Sequence, residues 1–203
     1  MKLLLIYKGP YSIDFQGCIL YMWFHVKKRR TPGNMKKGIR VIHPEEEISK
    51  RIKQIANEIK SVMPSEEFTV VGILDDAFVF LADLIRAMNI PLSCHFMRIT
   101  QKEHADQTEI EFTSEFNPRG LDILLVAAIV DTGITLDHVA RHLSESGAKS
   151  VRLCVLLDKP GNRRIDIKPD FAAFETTGKF VFGYGLGLQN KFRQLPYLAV
   201  IED

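Results

Sequence analysis

Leu124-Leu125-Val126-Ala127-Ala128-Ile129-Val130-Asp131-Thr132-Gly133-Ile134-Thr135-Leu136 is the stretch on which the reading of this chain turns. Leu124 to Val130 are apolar without a break, which suits a strand buried on both faces of a parallel sheet. An Asp-Thr-Gly turn follows, then an amphipathic run from near Thr135. Together they form an anion cradle. Backbone N–H groups of Thr132 to Thr135 point inward, Thr132 and Thr135 add hydroxyls, and a helix N-terminus favours negative charge. A buried strand with a capped helix behind it explains the same residues without any ligand. The rest of the chain decides between the two.

Working outward, Ile39–Ile42 reads as a short strand, and Pro44-Glu45-Glu46-Glu47 opens a helix with its acids facing the helix dipole. Ile48, Ile52, Ile55, Ile59 and Val62 then recur at steps of four and three, a stripe for one buried face. Phe68–Leu74 and Pro91–Ile99 read as strands, with a helix over Asp76–Met88 between them. Thr100 to Gly120 is polar apart from Ile110, Phe112 and Phe116, and reads as a flexible two-stranded flap. Beyond the central strand come a helix over Thr135–Ser146 stopped by Gly147, then strands at Val151–Leu157, Phe171–Phe174, Phe180–Phe182 and Tyr197–Ile201. Strands alternating with helices predict an α/β fold with a mostly parallel, helix-flanked sheet.

The chain has 203 residues, 46% of them hydrophobic and 26% charged, enough for one α/β domain with its own core. Its net charge of +2 is unevenly placed. Residues 1–35 hold six Lys and Arg against the single acid Asp14 and carry +5, while the remainder carries −3. The body is therefore not a basic nucleic-acid binder. Residues 1–37 read as a basic and apolar extension outside a domain spanning 38–203, with Met35 as a candidate start. Within the extension, Cys18–Val26 is too short to span a bilayer, which needs about 20 residues. Its charges follow the apolar run rather than precede it, unlike a signal peptide. Stable membrane insertion is not expected. Cys18, Cys94 and Cys154 are odd in number and lack metal-ligand spacing, which points to a reducing cytoplasm.

Four blocks carry a resemblance. They are IRVIHPEEEISKRIKQIA, VDTGIT, LLDKPGNRRIDIKPDFAAFE, and KFVFGYGL with FRQLPY, in this order. With them the chain resembles the hypoxanthine(-guanine) phosphoribosyltransferases, from about Gly38 to Asp203. The resemblance implies the type I phosphoribosyltransferase fold with a small hood built from both ends of the domain. It also implies a homo-oligomer, dimer or tetramer, and a purine base or nucleotide as ligand. In that family purine N9 attacks the ribose of 5-phosphoribosyl diphosphate, held with Mg²⁺, and pyrophosphate leaves.

Set against the family, the chain keeps two ends of the site and changes the third. Thr132, Gly133, Ile134 and Thr135 match the loop for the 5′-phosphate, although Ile134 stands where many members have lysine. Asp131 matches the acid assigned to purine N7 as general base; a helix cap explains it equally well. Lys159 matches the lysine that donates to the purine O6, Phe180 the aromatic that stacks on the base, and Val181 the residue whose backbone reads the ring edge. At the metal and pyrophosphate end Ala127-Ala128 replaces an acid pair, and Gly187 replaces an aspartate. Leu74-Asp75-Asp76-Ala77 replaces a Leu-Lys-Gly-Gly loop that carries a cis peptide, and Thr100-Gln101-Lys102 takes the place of a Ser-Tyr pair. Arg193 is the one retained pyrophosphate contact. Asp75 and Asp76 are the candidates for a relocated Mg²⁺ site. His138 and His142 lie one helical turn apart, but no further ligand completes a metal set.

Losing one preorganised electrostatic contact typically costs about a hundred- to a thousandfold in rate. The departures therefore predict a binder of purine nucleoside 5′-monophosphate with weak or lost transfer. The alternative is an active 6-oxopurine phosphoribosyltransferase with a relocated metal. A purely structural use of the fold does not explain why the base and phosphate ends persist.

Overall fold

The apolar run sits at the centre of a six-stranded sheet. The structure is a computed structural model and describes residues 38–63, 68–101, 108–177 and 180–201. Residues 1–37, read above as an extension, lie outside the described residues, as does Lys102. Chain order is β1 (Ile39–His43), α1 (Glu45–Val62), β2 (Thr69–Leu74), α2 (Phe78–Met88), β3 (Ser93–Gln101), β4 (Thr108–Phe112), β5 (Asp122–Val130), α3 (Ile134–Glu145), β6 (Ser150–Asp158), β7 (Phe171–Glu175), β8 (Val181–Phe182) and β9 (Leu198–Ile201). The main sheet runs β4-β3-β2-β5-β6-β7. All its pairings are parallel except β3 with β4. This is the helix-flanked α/β architecture expected from the alternation of strands and helices.

Because β5 is apolar from Ile123 to Val130, its residues feed two cores. Leu124, Val126 and Ala128 pack with Ile48, Ile52, Ile55 and Ile59 of α1 and Phe80, Leu81 and Leu84 of α2. Ile123, Leu125, Ala127 and Val130 pack with Leu136, Val139 and Leu143 of α3. Each fully buried side chain of this size contributes roughly 1.5–3 kcal/mol. The isoleucine stripe on α1 is buried as its spacing predicts, except that Val62 in the last turn is 47% exposed. Arg51 pins α1 to the sheet by donating to the carbonyls of Ala172 and Ala173 at 2.8 and 3.0 Å.

Both ends of the domain build a small antiparallel sheet, β1-β9-β8. Ile39 pairs with Ile201, and Val181 with Val200. This is the hood the resemblance implies. The segment read as a two-stranded flap contributes β4, which pairs antiparallel with the end of β3, Met97 opposite Phe112 and Gln101 opposite Thr108, and so forms the edge of the main sheet. Its apolar residues hold it there. Ile110, Phe112 and Phe116 pack on the α3-side core, and Phe116 lies 4.6 Å from the His95 ring. Among the described residues no helix is long and apolar enough to cross a membrane.

Candidate functional site

The sheet order brings the candidate residues together. From β2 the chain continues to β3 on one side, and from β5 to β6 on the other, so the order reverses between β2 and β5. The helices after these strands lie on opposite faces, α2 in one core and α3 in the other. Loops at the carboxyl ends of such strands diverge and leave a crevice, the usual ligand site of open α/β sheets. Asp75 and Asp76 follow β2, Asp131 to Gly133 follow β5, and Lys159 follows β6. Val130 and Asp158 are paired neighbours, so Asp131 and Lys159 leave adjacent strands at the same level.

The turn after β5 is held by its surroundings. Gly133 has φ +86°, a left-handed conformation that favours glycine. A Cβ there would meet Ile167 Cγ2 at 2.4 Å, so the small residue is required by space as well as by torsion. Gly133 is also the N-cap of α3, with no side-chain cap. Asp131 therefore does not cap the helix, which removes the simpler explanation for its presence. Thr132 Oγ1 accepts a long 3.5 Å hydrogen bond from Ile134 N–H, and Ile134 itself is 48% exposed at the mouth of the turn. The leading N–H groups of α3 have no intrahelical carbonyls to donate to.

Lys159 is buried to 7% exposure, and its Nζ stands 4.0 Å from Asp131 Oδ2. The other carboxylate oxygen, Asp131 Oδ1, is buried and has no hydrogen-bond partner among the described residues. An acceptor left so costs about 1–3 kcal/mol, which a ligand N–H would recover. The loop after β6 is tied to the turn after β5. Lys159 N–H donates to Val130 O at 3.0 Å, and Arg164 N–H to Thr132 O at 2.9 Å. Arg163 donates to Asp131 O at 2.5 Å and Ile167 O at 3.1 Å, and pairs with the buried Asp158. Sequence reasoning missed this role of Arg163. The only signal was its place in the block LLDKPGNRR, because its partners lie as far as 32 residues away.

Val181 opens the hood strand β8 and Phe180 directly precedes it; Phe180 is 69% exposed, unlike a core aromatic. At the third end the Leu74–Asp75 peptide is cis. Asp75 accepts a 3.2 Å hydrogen bond from the exposed Arg98, and Asp76 pairs with Arg193. The residues present do not fit the Mg²⁺ that the resemblance implies. Ala127 and Ala128 place buried methyl groups where the acid pair is expected, and Gly187 has no side chain. Asp75 and Asp76 each face a guanidinium, and among the described residues no three His, Cys, Asp or Glu gather as a metal site. Among the described residues, His138 and His142 gain no third ligand.

Comparison with known proteins gives one consistent result. Residues 40–191 match the phosphoribosyl transferase domain. The chain is 36% identical over 172 residues to a hypoxanthine-guanine phosphoribosyltransferase of Aquifex aeolicus, covering 82% of this chain and 97% of that protein. It is 34% identical over 167 residues to the Bacillus subtilis protein of the same name, covering 80% and 93%. Among solved structures, a hypoxanthine-guanine phosphoribosyltransferase from Bacillus anthracis superposes with a TM-score of 0.75 at 28% identity, over 82% of this chain and 100% of that one. Hypoxanthine phosphoribosyltransferase from Trypanosoma cruzi, in complex with the product IMP, gives 0.75 at 28% identity, over 86% and 98%.

Proposed function

Since the chain belongs to the hypoxanthine(-guanine) phosphoribosyltransferase family, we propose that it is a 6-oxopurine phosphoribosyltransferase of purine salvage. It would join hypoxanthine or guanine to 5-phosphoribosyl diphosphate, giving the nucleoside 5′-monophosphate and pyrophosphate. Similarity along nearly the full length of several proteins of that name supports the reaction class. The observation that carries the ligand class is the Asp131–Lys159 pair, one unpartnered buried acceptor beside one buried cation. A 6-oxopurine offers the complement on one edge, O6 for the Lys159 ammonium and a protonated N7 for Asp131. In this reading Phe180 stacks on the ring and the Val181 backbone reads its edge. Thr132 to Thr135 hold the 5′-phosphate through backbone donors, which the change to Ile134 does not remove. Arg193 meets the pyrophosphate. No step is assigned to a protein-held metal.

A second reading, nucleotide binding with weak or lost transfer, is favoured by one specific observation. Two buried alanines and a glycine stand where the family has acids, and Asp75 and Asp76 add negative charge beside the departing pyrophosphate. One set of measurements separates the readings. Purified protein is given hypoxanthine, guanine or xanthine with ribosyl diphosphate and Mg²⁺, and IMP binding is followed by calorimetry. Nucleoside monophosphate formed at an ordinary enzymic rate supports the first reading. Binding of IMP without turnover supports the second, and no binding at millimolar IMP rejects both.

Lys159→Met keeps the aliphatic stem and removes the charge. Loss of a charge-assisted hydrogen bond costs about 1.5–3 kcal/mol, so IMP should bind roughly tenfold to a hundredfold more weakly. AMP offers an amino donor at that position and should change far less. Equal losses for both nucleotides would remove Lys159 from the base end.

The domain we propose is residues 38–203, acting in the cytoplasm as a homo-oligomer. Residues 1–37 fall outside the matched family region, which begins at residue 40. A chain starting at Met35 should therefore melt within about 1 °C of the full chain, under the roughly 2–4 °C expected for 1 kcal/mol in a chain of this size. Insolubility, or a much lower melting temperature, would put the extension inside the domain.

A further inference from the structure

The loop after β2 and the loop after β8 are clasped together, and Arg193 is the clasp. Its Nη1 pairs with the Asp76 carboxylate and also donates to Gly185 O at 2.7 Å. Gly185 N–H returns a 2.9 Å bond to Arg193 O, and the Asp76 carbonyl lies 2.7 Å from the place of a Gly185 Cβ. Gly187 completes the arrangement. A Cβ there would meet Arg193 Cζ at 2.8 Å, Nη2 at 2.9 Å and Nε at 3.0 Å, so the guanidinium lies flat across the glycine. Two of the chain's departures from the family, Asp76 and Gly187, thus belong to one device. The glycine makes room for the guanidinium to lie down, and the aspartate gives it an anion to hold.

A guanidinium fork is matched to carboxylate and phosphate oxygens, and the group engaging one is not free for another. Arg193 is part-exposed at 26% and Asp76 at 49%, so the pair is reachable from solvent and exchangeable. We propose that Asp76 is a specificity-determining residue: its carboxylate competes with a ligand's diphosphate for the Arg193 guanidinium, so the diphosphate end is held more weakly than Arg193 alone would hold it, while a nucleoside monophosphate is unaffected. This rests on the reading of the crevice as a purine nucleotide site. A diphosphate has to displace Asp76 from Arg193 and then lie beside the freed carboxylate, with Asp75 one residue away. A monophosphate held at residues 132–135 meets neither group.

The test uses the full chain and two probes, inorganic pyrophosphate and IMP, each titrated alone by calorimetry. Asp76→Asn keeps the shape and removes the charge. It should tighten pyrophosphate on the order of tenfold, the effect of removing one like charge at close range in a part-exposed site. IMP should stay within about twofold. Asp76→Ser serves as a second variant should the first lose stability, and both should act alike. Arg193→Met added to either should abolish the gain, since the two residues are coupled partners. Pyrophosphate affinity unchanged in both Asp76 variants overturns the proposal, as does a gain that survives Arg193→Met. Should the unaltered protein not bind IMP, the nucleotide-site reading falls. The pyrophosphate series would then still show whether Asp76 occupies the Arg193 seat.

Discussion

Gly133→Val should remove measurable IMP binding and lower the melting temperature by about 10 °C. Two costs add. A β-branched residue at φ +86° sits outside its normal conformations, at roughly 1–3 kcal/mol. Its Cβ would overlap Ile167 Cγ2 at 2.4 Å and crowd Arg163 Cδ at 3.3 Å, and overpacking of this kind costs about another 1–3 kcal/mol. The damage does not stay in the turn. Ile167 O accepts from Arg163, and Arg163 in turn holds Asp131 O and Asp158, so displacing residue 167 loosens the loop after β6 along with the turn after β5. Calorimetry with IMP and thermal melting check this. Gly133→Ala should move both readouts in the same direction by less. A valine variant that melts and binds like the unaltered protein would show that the turn is not the ligand-holding element.

What could be read in advance follows from how far apart the partners lie. The strand at Leu124–Val130 was legible because seven apolar residues in a row leave no solvent face, and it occupies the sheet centre. The stripe from Ile48 to Ile59 was legible for the same kind of reason, a local period. Helix α2 begins at Phe78 rather than Asp76, because Asp75, Asp76 and Ala77 form the turn that leaves β2. Val62 shows where periodicity overreaches. It keeps the spacing, but it is exposed while the next residue, Met63, enters the core at 5% exposure. The placement of Asp131 and Lys159 on adjacent strands follows from their positions just after two apolar runs. The Arg193–Asp76 pair spans 117 residues, and the ties of Arg163 depend on loop paths no local pattern encodes. Charge type alone could not show that Asp76 faces a cation of its own chain. Read from sequence, the two aspartates were candidates for holding Mg²⁺; in the fold each is matched to an arginine.

Ala127→Glu combined with Ala128→Asp should destabilise the protein by about 3–5 kcal/mol, the usual cost of an uncompensated buried charge, and lower its melting temperature by roughly 10 °C. The substitution writes the family's acid pair back into β5, so a gain of function is the naive expectation. The packing argues otherwise. Ala127 is 3% exposed and faces the core shared with α3, beside Leu125, Val130 and Leu136. Ala128 is 5% exposed and faces the opposite core, among Val126, Phe80 and Leu157. Two longer acidic side chains must therefore enter apolar layers on both faces of the central strand, or push past them to reach the crevice. The arginines of this region are already committed, Arg193 to Asp76 and Arg163 to Asp158. Melting with and without Mg²⁺ and ribosyl diphosphate decides the matter. A loss of several kcal/mol, unchanged by the metal, means that the strand has been repacked around alanine and that restoring ligands needs changes in the surrounding core. A loss below about 1 kcal/mol, recovered when Mg²⁺ and ribosyl diphosphate are added, means that both carboxylates reach the crevice. The third end would then be two substitutions from an acid-lined site, and the reading of this region as closed to a metal would be overturned.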